Sequence, residues 1–328
     1  MLNTPVAFII FKRPHLTQQV FNAIRQAQPK QLFVIADGPR SPEEAEKCQQ
    51  ARDIIKQVDW DCQVFTNYSD TNLGCRQRIS SGITWVFENV EEAIILEDDC
   101  LPTLSFFAFC QTLLNRYRND TRIMVISGNN FQDSQDRTNY SYYFSRYNHC
   151  WGWATWKRAW QYWNFTSGKW LEFKNSGLME QSFDDIYEQK YWTKIFDQVF
   201  LQGKPDSWAY VWTFACWSQG GLTILPSQNL VSNIGFGEDS THTKSKNSPF
   251  ANLPTMDIWE IKHPPFMVRH QEADTYTFDY HFGGVNMKKT KTFKDKLSYF
   301  VSNNKRRVTH LITDPISFYT SVRRKFRS

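Results

Sequence analysis

The chain has 328 residues, 41% apolar and 22% charged, a globular composition with enough length to bury a full core. Seven cysteines without a CxxC pair argue against a disulfide framework and a structural zinc site, and suit a reducing compartment. The net charge of +5 is unevenly placed: residues 283–328 carry twelve Lys or Arg against Asp295 and Asp314, so this tail is at +10 and the remainder near −5.

The first half alternates strand and helix signals. Pro5–Phe11 reads as a buried strand, and Leu16, Val20, Ile24 and Ala27 recur at helical spacing. Gln31–Ala36 is a second strand. Ser41-Pro42-Glu43-Glu44 is a helix start, with Ser41 as cap and Glu44 reaching back. Asp61–Thr66 is a third strand, Arg76–Val90 a helix, Glu92–Leu96 a fourth strand, Thr103–Tyr117 a helix and Arg122–Ser127 a fifth strand. The second half is less regular. Ten of the thirteen Trp lie between Trp151 and Trp217, Phe183–Gln202 reads as a helix, and Leu222–Pro226 and Gln228–Ser232 read as strands. No apolar stretch approaches the length of a membrane span. Pro5–Phe11 lacks the basic flank and cleavage site of a signal peptide. A soluble or peripheral, cytoplasmic protein is expected.

Strands separated by helices predict right-handed crossovers, a parallel α/β sheet, and ligands beyond the carboxyl ends of the strands. Four segments fall there: Lys12-Arg13-Pro14, Asp37-Gly38, Asn67 through Gly74, and Glu97-Asp98-Asp99. Three adjacent carboxylates repel unless a cation or proton intervenes. Strand alternation puts Glu97 and Asp99 on one face and turns Asp98 away. Oxygen ligands at a strand end suit Mg²⁺ or Mn²⁺ bridging to substrate phosphates. Arg13 and Asp37 can bond a base, or simply pair with each other. Arg76 and Arg78, at the start of a helix, suit a diphosphate. No GxGxxG or Walker-type lysine loop is present.

These segments resemble the GT-A glycosyltransferases, particularly the N-acetylglucosaminyltransferase I family and its bacterial relatives. The resemblance is carried by FKRPHLT (11–17), VIADG (34–38), IILEDDCLPTLSFFAF (94–109), RIMVISGNN (122–130) and HCWGWATWKRAW (149–160), in the family's order over about residues 5–160. PDSWAYVW and SNIGFGEDSTHT match less closely. The resemblance implies a Rossmann-like fold with a mostly parallel sheet and flanking helices. Residues 1–130 would bind the nucleotide sugar, 131–282 would hold the acceptor and catalytic half, and 283–328 would form a basic tail. It further implies Arg13 and Asp37 at a uracil ring, Asp99 on the metal, and Glu97 and Asp98 at metal-bound water and the sugar nucleotide. Asp206 would be the base of an inverting displacement, with Asp185 in Asp184-Asp185 as its rival. His242, in the polar loop 236–249, is a candidate metal ligand. The expected activity is transfer of a sugar from a UDP-sugar or other nucleotide-diphosphate sugar to a glycan or other hydroxyl acceptor, in polysaccharide synthesis.

Two other classes stay open. A nucleotidyltransferase that makes an activated sugar usually has a Gly-rich loop after its first strand, where this chain has Lys12-Arg13-Pro14. A non-catalytic sugar-binding protein would not need the acidic triplet. Nucleic-acid binding is disfavoured, because the Trp-rich stretch lacks a basic stripe. Most of those Trp are expected to pack the second layer, with one or two at an acceptor cleft. Residues 288–328 alternate basic clusters with apolar stretches. They are expected either to dock on the core or to touch an anionic membrane that presents a lipid-linked glycan.

Overall fold

The apolar run at residues 6–10 is buried throughout and becomes the centre of the sheet. In the computed structural model, which describes residues 1–133, 135–164, 166–237 and 248–289, the chain begins with β1 (Val6–Ile10), α1 (Pro14–Ala27), β2 (Gln31–Ala36) and α2 (Pro42–Asp53). It continues with β3 (Gln63–Tyr68), α3 (Cys75–Asn89), β4 (Glu92–Glu97), a short β5 (Cys100–Pro102), α4 (Leu104–Arg116) and β6 (Ile123–Ser127). Next come β7 (Tyr142–Ser145) and β8 (Trp153–Trp156), and then the helices α5 (Lys157–Trp160), α6 (Ser167–Asn175), α7 (Leu178–Ser182), α8 (Ile186–Leu201) and α9 (Trp208–Ser218). β9 (Leu222–Pro226), β10 (Val231–Asn233), α10 (Gln271–Tyr276) and α11 (Gly284–Lys289) follow.

Eight strands form one sheet in the order β3-β2-β1-β4-β8-β6-β9-β7. β1, β2, β3 and β4 run parallel, as do β6 and β9, while β8 and β7 run against their neighbours. The result is the mostly parallel α/β sheet with flanking helices that the strand–helix alternation predicts. β7, β8 and β9, all from beyond residue 131, complete the sheet that the first half begins. β5 and β10 pair separately as an antiparallel ribbon.

Alternate residues of each central strand feed two cores. Val6, Phe8 and Ile10 of β1 pack with Val20 and Ile24 of α1 and with Phe106 and Cys110 of α4. Ala7 and Ile9 face the other way, against Ile79, Ile83 and Val86 of α3 and Trp212 of α9. Both faces are covered, so these strands read as continuous apolar runs. A third cluster, including Trp170, Trp192, Phe196 and Phe214, joins α6, α8 and α9.

Several expected boundaries shift. The third strand starts two residues later, at Gln63, and the expected strand Gln228–Ser232 is realised as Val231–Asn233. Ser41 makes no side-chain cap; Glu44 instead accepts the Arg40 N–H at 3.0 Å and pairs with Lys12 at 2.5 Å. All seven cysteines are free thiols. No helix among the described residues is long and apolar enough to cross a membrane. Of the basic tail, residues 290–328 lie outside the described residues.

Candidate functional site

The topology places the crevice. From β1 the chain builds outward through β2 and β3, then returns to lay β4 on the opposite side of β1. Connections leaving these strands diverge, which opens a cleft at their carboxyl ends. Ile9 lies opposite Glu97 in the β1–β4 register, so Lys12-Arg13 and Glu97-Asp98-Asp99 emerge side by side.

β4 ends at Glu97. The alternation that would turn Asp98 away therefore stops, because Asp98 and Asp99 stand in a turn. The Arg13 guanidinium hydrogen-bonds Asp98 and lies 3.0 Å from Asp99 Oδ2. All three side chains are at most 15% exposed. Burial opposes the Arg13 charge, but the two aspartates outweigh it and hold the proton more firmly than usual. Three carboxylates against one guanidinium still leave negative charge in excess. Burial, reinforced by Asp99 and Asp98 and opposed by Arg13, pushes Glu97 up to about 8. Burial also raises Asp98, against the pull of Arg13. Hard oxygen donors short of positive charge fit a divalent cation such as Mg²⁺ or Mn²⁺. Among the described residues no three His, Cys, Asp or Glu side chains form a ready-made metal cage. A cation here would complete its shell from phosphate and water, the usual habit of Mg²⁺.

Two cavities meet at this cluster, sharing Arg13, Cys75 and Glu97 in their walls. The first, about 310 Å³, is bounded by Phe11, Asp37, Arg40, Arg78, Asp98 and Asp206. The second, about 510 Å³, is bounded by Asp99, Asn129, Trp151, Trp192, Trp208 and His281. Asp206 and its neighbours divide them: Asp206 faces the first cavity, and Pro205, Ser207 and Trp208 face the second. Of the Trp in the dense region Trp151–Trp163, Trp153, Trp156 and Trp160 are core residues, and Trp151 reaches a cavity.

Asp37 stands after β2 but does not pair with Arg13. Its carboxylate accepts the N–H groups of Gly38 (2.9 Å), Leu73 (2.9 Å) and Gly74 (3.2 Å) and the Asn72 amide (3.0 Å). It therefore pins the loop 72–74 that forms the floor of the first cavity. Arg78 donates to the carbonyls of Ala36 (3.1 Å) and Asn67 and to Asn67 Oδ1 (2.9 Å), and it reaches the cavity wall. Arg76, expected with Arg78 at the diphosphate, instead donates to the Val199 carbonyl at 3.4 Å and is not in the wall of this cavity. The helical period separates two residues two positions apart, so they cannot share one face.

Asp185 lies in neither cavity wall. It caps α8, accepting the Tyr187 N–H at 2.8 Å, and pairs with Lys288 at 2.8 Å. Asp206 is the carboxylate that shares a cavity wall with Glu97 and Asp98, and its Oδ2 lies 3.0 Å from where a Cβ on Gly74 would sit. His242 lies outside the described residues. Gly235, which the sequence reading passed over, backs directly onto Asp99 and leaves no room for a Cβ.

No family model matches the chain, and no curated protein matches its sequence. Among solved structures, it is similar to a UDP-glucose pyrophosphorylase complexed with UDP-glucose, at 10% identity and a TM-score of 0.30, covering 50% of this chain and 80% of that one. It is also similar to a 4-diphosphocytidyl-2C-methyl-D-erythritol synthase from Anaerococcus prevotii, at 8% identity and a TM-score of 0.31, covering 48% and 74%.

Proposed function

We propose that the protein is a GT-A-type glycosyltransferase that moves a sugar from a nucleotide-diphosphate sugar, with UDP favoured, to a hydroxyl acceptor. The observation that carries this reading is the acid cluster. Asp98 and Asp99 share one guanidinium at the switch point of the sheet, and beside them Glu97 retains its proton up to about 8. Such a site favours a ligand that brings positive charge with it.

In this reading the nucleotide and diphosphate occupy the first cavity. Arg78 and Arg40 stand in its wall beside Arg13 and supply positive charge for phosphate oxygens. Asp37 keeps loop 72–74 in place under the base. Asp99, with Glu97, would hold Mg²⁺ or Mn²⁺, whose chemistry there is to offset the charge that grows on the departing diphosphate. The acceptor enters by the second cavity. Asp206, at the partition, takes the proton from the acceptor hydroxyl as its oxygen attacks the anomeric carbon from the face opposite the diphosphate, so the reaction inverts. Asp185 is left with a structural role, since its oxygens serve α8 and Lys288.

A thermal-shift panel tests the class of reaction. UDP, GDP, dTDP and a nucleoside triphosphate with a sugar 1-phosphate are each compared with and without Mn²⁺. Stabilisation by a nucleoside diphosphate that needs Mn²⁺ supports glycosyl transfer. Stabilisation only by the triphosphate with a sugar phosphate would replace it with nucleotidyl transfer.

A further inference from the structure

The first cavity carries an assignment of its own, resting on the transfer reading above. Arg13 and Asp37 are the residues expected at a uracil ring, and both are already engaged. The Arg13 guanidinium is turned to Asp98 and Asp99. Asp37 Oδ1 accepts the N–H groups of Gly38 and Leu73, and Oδ2 accepts the Gly74 N–H and the Asn72 amide. A carboxylate has about four lone-pair sites. These donors fill them, so none is left for an N–H on a nucleotide base.

Asn72 is placed differently. It is partly exposed and stands in the wall of the same cavity. Its amide nitrogen donates both hydrogens, one to Asp37 Oδ2 at 3.0 Å and one to the Gly38 carbonyl at 2.9 Å. Both partners are acceptors, so the nitrogen and oxygen of this amide cannot be exchanged. The nitrogen has no further hydrogen to give. Oδ1 is the group left over: it accepts nothing from the described residues and is not sealed from solvent. The two nitrogen bonds also fix the amide plane. Oδ1 is therefore an acceptor whose side-chain freedom is already spent before a ligand arrives. A fixed neutral acceptor selects a donor, and uracil presents a ring N–H at N3.

We propose that Asn72 Oδ1 reads the ring N–H of the donor's base, and that Asp37 acts one step back as the positioning residue that holds Asn72 and loop 72–74. The carboxylate expected at the base thus supports the reader in place of being the reader. Asn72 becomes the residue on which preference for a base with a ring N–H depends.

The test titrates the full chain calorimetrically, with Mn²⁺, using UDP and UDP methylated at N3, which lacks this N–H. The unmodified protein should bind UDP roughly tenfold more tightly, the worth of about one hydrogen bond. Asn72→Ala should weaken UDP to the level of the methylated nucleotide and so remove the preference. Asn72→Ser, whose shorter side chain can still donate to Asp37, should remove it as well, with a smaller fall in melting temperature. Asp37→Ala should weaken both nucleotides and lower the melting temperature, yet keep a preference of about threefold, because Asn72 retains its bond to the Gly38 carbonyl. Equal affinity of the unmodified chain for the two nucleotides, or a preference that survives in the Asn72 variants, would overturn the assignment and leave the transfer reading standing. So would loss of the preference in Asp37→Ala to the same extent as in Asn72→Ala. Failure of UDP to bind the unmodified chain would overturn the transfer reading, and the base assignment with it.

Discussion

Gly235→Ala is a one-carbon change aimed at Asp99 from behind. Gly235 follows β10, and Ile234 N–H bonds the Asp99 carbonyl at 2.9 Å, so the two backbones are tied together. A Cβ built on Gly235 would stand 2.5 Å from Asp99 Cβ and 2.7 Å from its Cγ, and closer still to Oδ2. Carbon atoms pack at about 3.5–4.0 Å, so Asp99 must retreat by about 1 Å. Because Cβ itself is in the way, no rotation of the aspartate relieves the clash. A shift of about 1 Å in a reacting group costs about 10²-fold in rate. Overpacking of this kind costs about 1–3 kcal/mol, a fall in melting temperature of roughly 1.5 °C per kcal/mol for a chain of this length. Initial rates of UDP release from a UDP-sugar with Mn²⁺, set beside melting curves, measure both. Gly168→Ala is the control, since its nearest neighbour, Thr166 Oγ1, is 3.7 Å away. A Gly235→Ala protein with unimpaired Mn²⁺-dependent turnover would show that the position of Asp99 is irrelevant to the reaction.

Four further outcomes follow from the same geometry. Glu97, raised to about 8 from 4.5, keeps its proton in the folded chain after the unfolded chain has lost it, so its contribution to stability is complete below about 4.5 and lost as pH rises towards 8. Melting temperature without divalent cations should therefore fall across that window, Glu97→Gln should flatten the slope, and 5 mM Mn²⁺ should lessen it (about 5 mM being well above a typical weak site). Arg13→Met removes the guanidinium that Asp98 and Asp99 share and should destabilise the metal-free protein by about 3–5 kcal/mol at neutral pH, read by denaturant unfolding. Asp206→Asn should cut turnover by about 10²-fold or more while UDP affinity is kept. Asp185→Ala should leave turnover near normal and cost about 1 kcal/mol of stability through the lost helix cap.

β1, β2 and β4 were legible because each is buried on both faces and bounded by a clear turn. β8, Trp153–Trp156, was not: it is four residues of aromatic and small side chains with no alternation, and its role depends on pairing with β4 and β6. α9 was hidden for a similar reason. Trp208–Ser218 is apolar nearly all round, since it is wedged between the sheet and α8, so no stripe marks it as a helix. At the site, position after a strand singled out Arg13, Asp37 and the acid triplet. Partners did not follow from position. Arg13 meets Asp98 across 85 residues because β1 and β4 are neighbours, and Asp37 binds loop 72–74 because that loop folds back over β2. The divergence of Arg76 and Arg78 follows from their spacing of two within α3, which puts them on different faces of the helix.

The central claim is that Asp99 works at the heart of a metal-dependent sugar transferase. It is tested most directly by titrating UDP calorimetrically into the full chain and into Asp99→Ala, each with and without Mn²⁺, with melting curves as the check on folding. The account predicts that UDP binds the unmodified protein with Mn²⁺ far more tightly than without it, and that Asp99→Ala removes this difference while melting nearly as before. Equal UDP affinity with and without Mn²⁺, or a Mn²⁺ effect that survives in Asp99→Ala, would contradict it.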